Sequence, residues 1–201
     1  MTMRVAVAVS GRGSNLEALL QALGPAATAR VVVVLSNRAD AGALARAAGY
    51  GVPGVVLRAP SDSAEWLDHL ARFEVDLLVL AGYLKLVPAG VIERYRGRIV
   101  NVHPALLPAF GGPGMYGRRV HEAVLASGAS ESGATVHLVD EEYDRGAVLA
   151  QARVPVLLGD TPERLAARVL EAEHRLLPAV VLAAAAAGHP VPLPQPVESN
   201  S

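Results

Sequence analysis

Short unbroken apolar runs punctuate the first half of the chain, at Val5–Val9, Val31–Leu35, Val55–Leu57, Leu77–Ala81 and Ile99–Val102. Runs of this length without polar alternation suit strands covered on both faces, as parallel sheets require. Between them, Leu16, Leu19, Leu20 and Leu23 recur at helical spacing, and Trp66, Leu67, Leu70 and Phe73 form a second such stripe. Strand and helix in alternation predict right-handed crossovers and an α/β fold with a doubly wound, mostly parallel sheet. After residue 130 the pattern changes. Thr135–Val139 and Ala147–Val156 are strand candidates joined by the acidic loop Asp140 to Gly146, which predicts an antiparallel hairpin added to the sheet. Thr161-Pro162-Glu163 then marks the start of a long C-terminal helix, with Thr161 as cap and Pro162 at the first position. From His189 onward prolines and serines predict a loose tail at 189–201, leaving 1–188 as a single domain.

The polar residues that interrupt this pattern carry the chemistry. Asn101-Val102-His103-Pro104-Ala105-Leu106-Leu107-Pro108 ends a hydrophobic strand. Alternation sends Asn101 and His103 to one face and Val100 and Val102 to the other. Pro104 disfavours the helical region for His103 and holds it extended. An amide and an imidazole thus project together at the end of a strand, where open α/β sheets bind ligands.

Composition narrows the setting. Across 201 residues, 52% are hydrophobic, ample for a packed core, and a net charge of −1 shows no nucleic-acid or anionic-membrane footprint. The chain has no cysteine, which excludes disulfides, thiolate metal sites and a cysteine nucleophile and fits a reducing cytoplasm. No apolar stretch reaches the ~20 residues of a membrane span, so a soluble protein is expected. The six histidines show no metal-ligand spacing, and no metal is expected. His137, alternating with Thr135 and Val139, reads as a hydrogen-bonded core histidine; His69 and His121 read as helix-surface residues.

Ser10-Gly11-Arg12-Gly13-Ser14-Asn15 joins the first strand to the first helix. The Gly13, Ser14 and Asn15 backbone and the Ser14 hydroxyl suit a single phosphate at a helix start. The full dinucleotide fingerprint is absent, since Leu16 stands where glycine or alanine belongs. A plain glycine turn with Ser14 or Asn15 capping the helix is the alternative. Asp140, Glu141, Glu142 and Asp144 crowd one loop; one of them turned toward His103 would favour protonated imidazole, with Asp144 a candidate. On the last helix Leu165, Val169, Ala172, Leu176 and Leu177 form an apolar stripe that contains Glu173. Either Glu173 snorkels to water or it is a buried acceptor for an amine. Pro178, with no N–H, should kink this helix. The apolar loop from Ala81 to Pro88 either lines a pocket for a flat heterocycle or is an ordinary connection.

Gly-Arg-Gly-Ser-Asn after the first strand, Asn-Val-His-Pro-Ala-Leu-Leu-Pro, and Asp144 ahead of Gly146 closely resemble the phosphoribosylglycinamide formyltransferases of purine synthesis, in the family's order from Val5 to about Val181. The resemblance implies a Rossmann-like formyltransferase fold, with a phosphate-binding half to about residue 100 and a folate and catalytic half from 101 to 188. It implies transfer of a formyl group from 10-formyltetrahydrofolate to the amine of glycinamide ribonucleotide, without metal, by a cytoplasmic monomer or homodimer acting on small molecules. Asn101, His103 and Asp144 match the catalytic set; Gly13, Ser14, Asn15, Pro104 and Glu173 match the substrate-binding set. Leu84, Lys85, Leu86 and Val87, with Val139, Asp140, Glu141, Glu142 and Tyr143, match the folate cleft. A formyl-folate hydrolase or another formyl-folate transferase is the alternative. Three departures stand out: a long glycine-rich Gly111–Arg119 loop whose Arg118 or Arg119 could contact anions, Lys85 where arginine is common, and Leu170 where a polar phosphate contact often sits.

Overall fold

The structure, a computed structural model, describes residues 2–24 and 26–194. Its strands are β1 (Met3–Val9), β2 (Ala29–Ser36), β3 (Gly54–Val56), β4 (Leu77–Leu80), β5 (Ile99–His103), β6 (Glu131–Leu138) and β7 (Val148–Pro155). The helices are α1 (Ser14–Ala22), α2 (Gly42–Gly49), α3 (Ser63–Arg72), α4 (Ala89–Arg94), α5 (Arg118–Ala126) and α6 (Pro162–Ala187). All seven strands join one sheet in the order β3-β2-β1-β4-β5-β6-β7. The β1–β5 strands are mutually parallel; β6 adds antiparallel to β5 and β7 antiparallel to β6, as the hairpin pattern predicts.

The unbroken apolar runs serve both faces. Val5, Val7, Val79, Val100 and Val102 pack under α1, α2 and α6, while Ala6, Ala8, Leu78, Leu80 and Ile99 pack under α3 and α4 with Trp66, Leu70, Val91 and Ile92. A third cluster joins α5 to α6 through Val124, Leu165, Val169 and Ala172 over Ala134 and Val154. Local chemistry sets the helix ends. Asp62 accepts from the Ala64 N–H at 2.9 Å to open α3, and Thr161 accepts from Arg164 N–H at 3.3 Å to open α6 with Pro162 behind it.

Three features bear on these expectations. Neither Ser14 nor Asn15 caps α1; the cap is Gly13 itself, in the left-handed region at φ 79°, with no side-chain bond. Glycine is needed there twice over, because a Cβ would also sit 2.6 Å from that of Ala43. The α6 helix continues through Pro178 to Gly188, its neighbours Leu177, Val180 and Val181 buried against the sheet, so packing carries the helix past the missing hydrogen bond. Finally, the start of the tail is anchored: Leu193 N–H donates to Leu149 O on β7 at 2.8 Å, and Leu193 packs against the core. The tail beyond residue 194 lies outside the described residues.

Candidate active site

Strand order reverses between β1 and β4. From β1 the chain winds outward to β3, then returns to β4 and winds the other way. The loops leaving β1 and β4 therefore diverge and open a crevice at the carboxyl ends of the strands. Ser10 pins the two lips: its N–H donates to Gly82 O at 3.0 Å, and its hydroxyl accepts from Leu84 N–H at 2.9 Å while donating to Asn37 Oδ1 at 2.7 Å. The crevice deepens into a cavity of about 680 Å³.

On its floor lies the end of β5. Asn101 and His103 share a face, opposite His137 and Thr135 of β6 in register. His103 is 4% exposed, with Nε2 2.8 Å from Phe110 O and Nδ1 3.5 Å from Asp144 Oδ2. A carbonyl only accepts, so Nε2 carries a proton and Nδ1 is the nitrogen facing the carboxylate. The other Asp144 oxygen lies 3.5 Å from His137 Nε2. His137 Nδ1 sits 2.7 Å from Leu138 O and must donate to it, so in the neutral ring Nε2 accepts the Asn101 amide N–H at 3.1 Å. The amide, two imidazoles and a carboxylate thus form one connected set.

Asp144 reaches inward because the hairpin bends sharply. Its own φ is 55°, and Gly146, two residues on, lies so close to Leu138 O that any Cβ would overlap that oxygen. Gly112 N–H donates to Asp144 Oδ2 at 2.9 Å. Burial alone would raise this carboxyl, but His137, His103 and the Gly112 N–H together hold it below the usual range. For His103 the balance goes the other way. Burial pushes the imidazole below its ordinary value, with Asp144 and the Phe110 carbonyl offsetting only part of it. The expectation of a His103 kept charged by its carboxylate is thus corrected: the site holds the ring nearer its neutral form, because its 4% exposure removes most hydration of the cation.

Glu173 lies on the cavity side of α6 and is 7% exposed, not snorkelling to water. Its Oε2 accepts from Asn15 Nδ2 at 2.6 Å, which ties the first helix to the last across the sheet edge. Burial raises this carboxyl to about 7 against the opposing Asn15 bond. Asn15 Oδ1 is itself buried with no partner among the described residues. Two acceptor groups thus converge where an N–H donor would satisfy both.

The cavity wall gathers Gly13, Ser14, Asn15, Leu84, Lys85, Leu86, Val87, Asn101, His103, Pro104, Val139, Asp140, Glu142, Tyr143, Asp144 and Glu173. Glu141 is the exception: it faces away, its Oε1 2.6 Å from Arg96 Nη2. Arg118 borders the cavity but is committed to Glu122 and Glu163, so the anion contact expected of it is already taken by carboxylates of the chain. Leu170 lines the same wall. His121 overturns its reading as a surface residue: it is 4% exposed and lines the cavity. Its helix packs on α6, and only that packing reveals which face is inside. His137 was also invisible as a site residue, whereas Tyr83 belongs to the Ala81–Pro88 loop, which does line the cavity. His137 looks like any core histidine until its register with Asn101 is known. Tyr83, set edge-on to Trp66 at 5.3 Å, has a buried hydroxyl with no partner among the described residues, pushed up to about 12 by burial. Among the described residues no group of three or more His, Asp or Glu side chains could hold a metal ion, and no helix is long and apolar enough to cross a membrane.

The doubly wound α/β fold gathers Asn101, His103 and Asp144 at the end of β5 in a switch-point crevice, and a family model described as formyl transferase matches residues 3–181. The chain is 47% identical over 89% of its length to the chloroplastic phosphoribosylglycinamide formyltransferase of Arabidopsis thaliana, spanning 64% of that relative. It is 37% identical to the phosphoribosylglycinamide formyltransferase of Haemophilus influenzae, covering 89% of this chain and 85% of that one. The crystal structure of the Anaplasma phagocytophilum phosphoribosylglycinamide formyltransferase superposes with a TM-score of 0.87 at 39% identity, over 93% of this chain and 88% of that chain. The chain belongs to the formyl transferase family, among its phosphoribosylglycinamide formyltransferases.

Proposed function

We propose that residues 1–188 act as one catalytic unit that moves a formyl group from 10-formyltetrahydrofolate to the amine of glycinamide ribonucleotide, giving formylglycinamide ribonucleotide and tetrahydrofolate. The observation that carries this reading is the convergence of Asn101, His103 and Asp144 on one cavity whose lining combines two kinds of surface. The Gly13–Asn15 loop and Glu173 suit a phosphate and an amine. Leu84, Leu86 and Val87 with Val139 and Tyr143 supply apolar surface suited to a flat heterocycle. Asp140 and Glu142 in the same lining supply acceptors for the heterocycle's N–H groups.

In this reading the amine nitrogen attacks the formyl carbon, a C–N bond forms, and negative charge develops on the formyl oxygen. Asn101 spends one amide N–H on His137 and keeps the second for that oxygen, a contribution of about 3–4 kcal/mol per donor in comparable acyl transfers. Neutral His103 takes the proton from the attacking nitrogen through Nδ1, and Asp144 at 3.5 Å stabilises the cation that results. The charged ring returns the proton to the folate nitrogen as its bond to the formyl carbon breaks. Proton and electron pair balance with no covalent intermediate. Such chemistry suits a reducing cytoplasm, since none of the 201 residues is cysteine.

The test is to mix the protein with 10-formyltetrahydrofolate, with and without glycinamide ribonucleotide. Loss of the formyl group only in the presence of the ribonucleotide is expected; equal loss without it would mean hydrolysis and overturn the proposal.

A further inference from the structure

Helix α5 buries Val120, His121 and Val124. Val124 belongs to the apolar cluster shared with α6, but the neighbouring imidazole borders the cavity instead. His121 is 4% exposed, and its Nδ1 is buried with no hydrogen-bond partner among the described residues. A buried polar nitrogen left unpaired is unfavourable, and native proteins rarely retain one without a use.

The other polar groups on this wall each have a partner within the chain. Arg118 and Glu163 bind each other, and Glu173 accepts from Asn15 at 2.6 Å. Ala166 and Leu170 are apolar. Among the described residues His121 is the polar side chain of the α5–α6 wall that has no partner within the chain. We propose that His121 is a binding residue for the ribonucleotide and hydrogen-bonds a hydroxyl of its ribose. This rests on the function proposed above. Gly13, His103, Glu173 and His121 line one cavity, and the ribose joins the phosphate held at the Gly13 loop to the amine held beside Glu173 and His103.

The chemistry selects the ligand group. Burial, reinforced by the nearby His103, pushes His121 below its ordinary value, which favours the neutral ring. A neutral imidazole offers one donor and one acceptor. A phosphate or carboxylate presents acceptors alone and would use half of it. A hydroxyl both donates and accepts, and satisfies either tautomer. In the proposed function the heterocycle of the formyl donor belongs against the apolar residues Leu84, Leu86 and Val87 instead.

The experiment compares wild type, His121→Phe and His121→Gln by calorimetric binding of glycinamide ribonucleotide and its 2′- and 3′-deoxy analogues, with steady-state kinetics alongside. Expected is a rise in ribonucleotide Kd and KM of about tenfold in His121→Phe, corresponding to ~1.4 kcal/mol. The KM for 10-formyltetrahydrofolate should stay constant, with partial recovery in His121→Gln. One deoxy analogue should bind wild type about tenfold more weakly yet match the parent ribonucleotide in His121→Phe. Unchanged Kd in both variants, with a higher Tm in His121→Phe, would overturn the inference and leave the imidazole merely a buried polar burden. If His121→Phe does not fold, His121→Gln and the analogue series on wild type decide the matter. Wild type that binds and formylates the ribonucleotide while both variants equal it sinks this inference alone; wild type that neither binds nor formylates it sinks the proposed function as well.

Discussion

Glu173 makes the chain's stability depend on pH in an unusual direction. In the folded protein burial raises this carboxyl from 4.5 to about 7, while in the unfolded chain it titrates at its ordinary value. Between those limits the native state holds a proton that the unfolded state has released, so stability falls as pH rises. The contribution is absent below the unfolded value and complete above the folded one. At about 1.4 kcal/mol per pH unit, the interval between 4.5 and about 7 corresponds to about 3 kcal/mol. Glu173→Gln removes the titration but keeps an acceptor for Asn15 Nδ2, and its amide can donate to the unpartnered Asn15 Oδ1. Urea unfolding of wild type and Glu173→Gln from pH 4.5 to 8 isolates this term, because all other titrating groups are common to both. The variant should gain on wild type progressively, by up to ~3 kcal/mol above pH 7, with any constant packing difference visible already at pH 4.5. A difference between the two that stays flat across this range would refute a buried, proton-holding Glu173. The same variant should bind glycinamide ribonucleotide more weakly, so stability and function pull apart at this position.

Three further outcomes are expected. His103→Ala should lower kcat by about 10²–10⁴-fold, the range for removing a proton-transfer group, with circular dichroism unchanged; turnover within a few-fold of wild type would remove His103 from the mechanism. Tyr83→Phe keeps the edge-on contact with Trp66 and deletes a buried hydroxyl without a partner, so Tm should rise and unfolding free energy increase by about 1 kcal/mol; a fall would mean that the hydroxyl is satisfied in solution. Gly146→Ala should cost about 2 kcal/mol or more and displace Asp144 as well, because the added carbon meets Leu138 O; wild-type stability in denaturant would show that the hairpin return is slack.

The class of the fold was legible because both of its signals are local. Apolar runs such as Val31–Leu35 lack polar alternation, which marks strands covered on both sides, and Leu16, Leu19 and Leu20 mark the inward face of a helix at one glance along the chain. Asn101 and His103 were readable as a pair for the same reason: period-two alternation is a property of the strand itself. Gly13 and Glu173 also stood out locally, one as a glycine before a helix and the other as a carboxylate in an apolar stripe.

What belongs to tertiary structure is every relation between segments far apart in sequence. Which acidic residue turns inward from the 140–146 loop depended on the close passage of Gly146 over Leu138 and on the reach of Gly112 to Asp144. His137 entered the site only through its register opposite Asn101, and His121 only through the face α5 turns toward α6. Charge states followed the same division. A sequence shows a carboxylate near a histidine, but His103 falls and Glu173 rises according to how much water packing removes from each, and the competition between desolvation and a partner's charge is settled in three dimensions. Periodicity along the backbone is written in the chain; solvent exclusion exists only once the chain is folded.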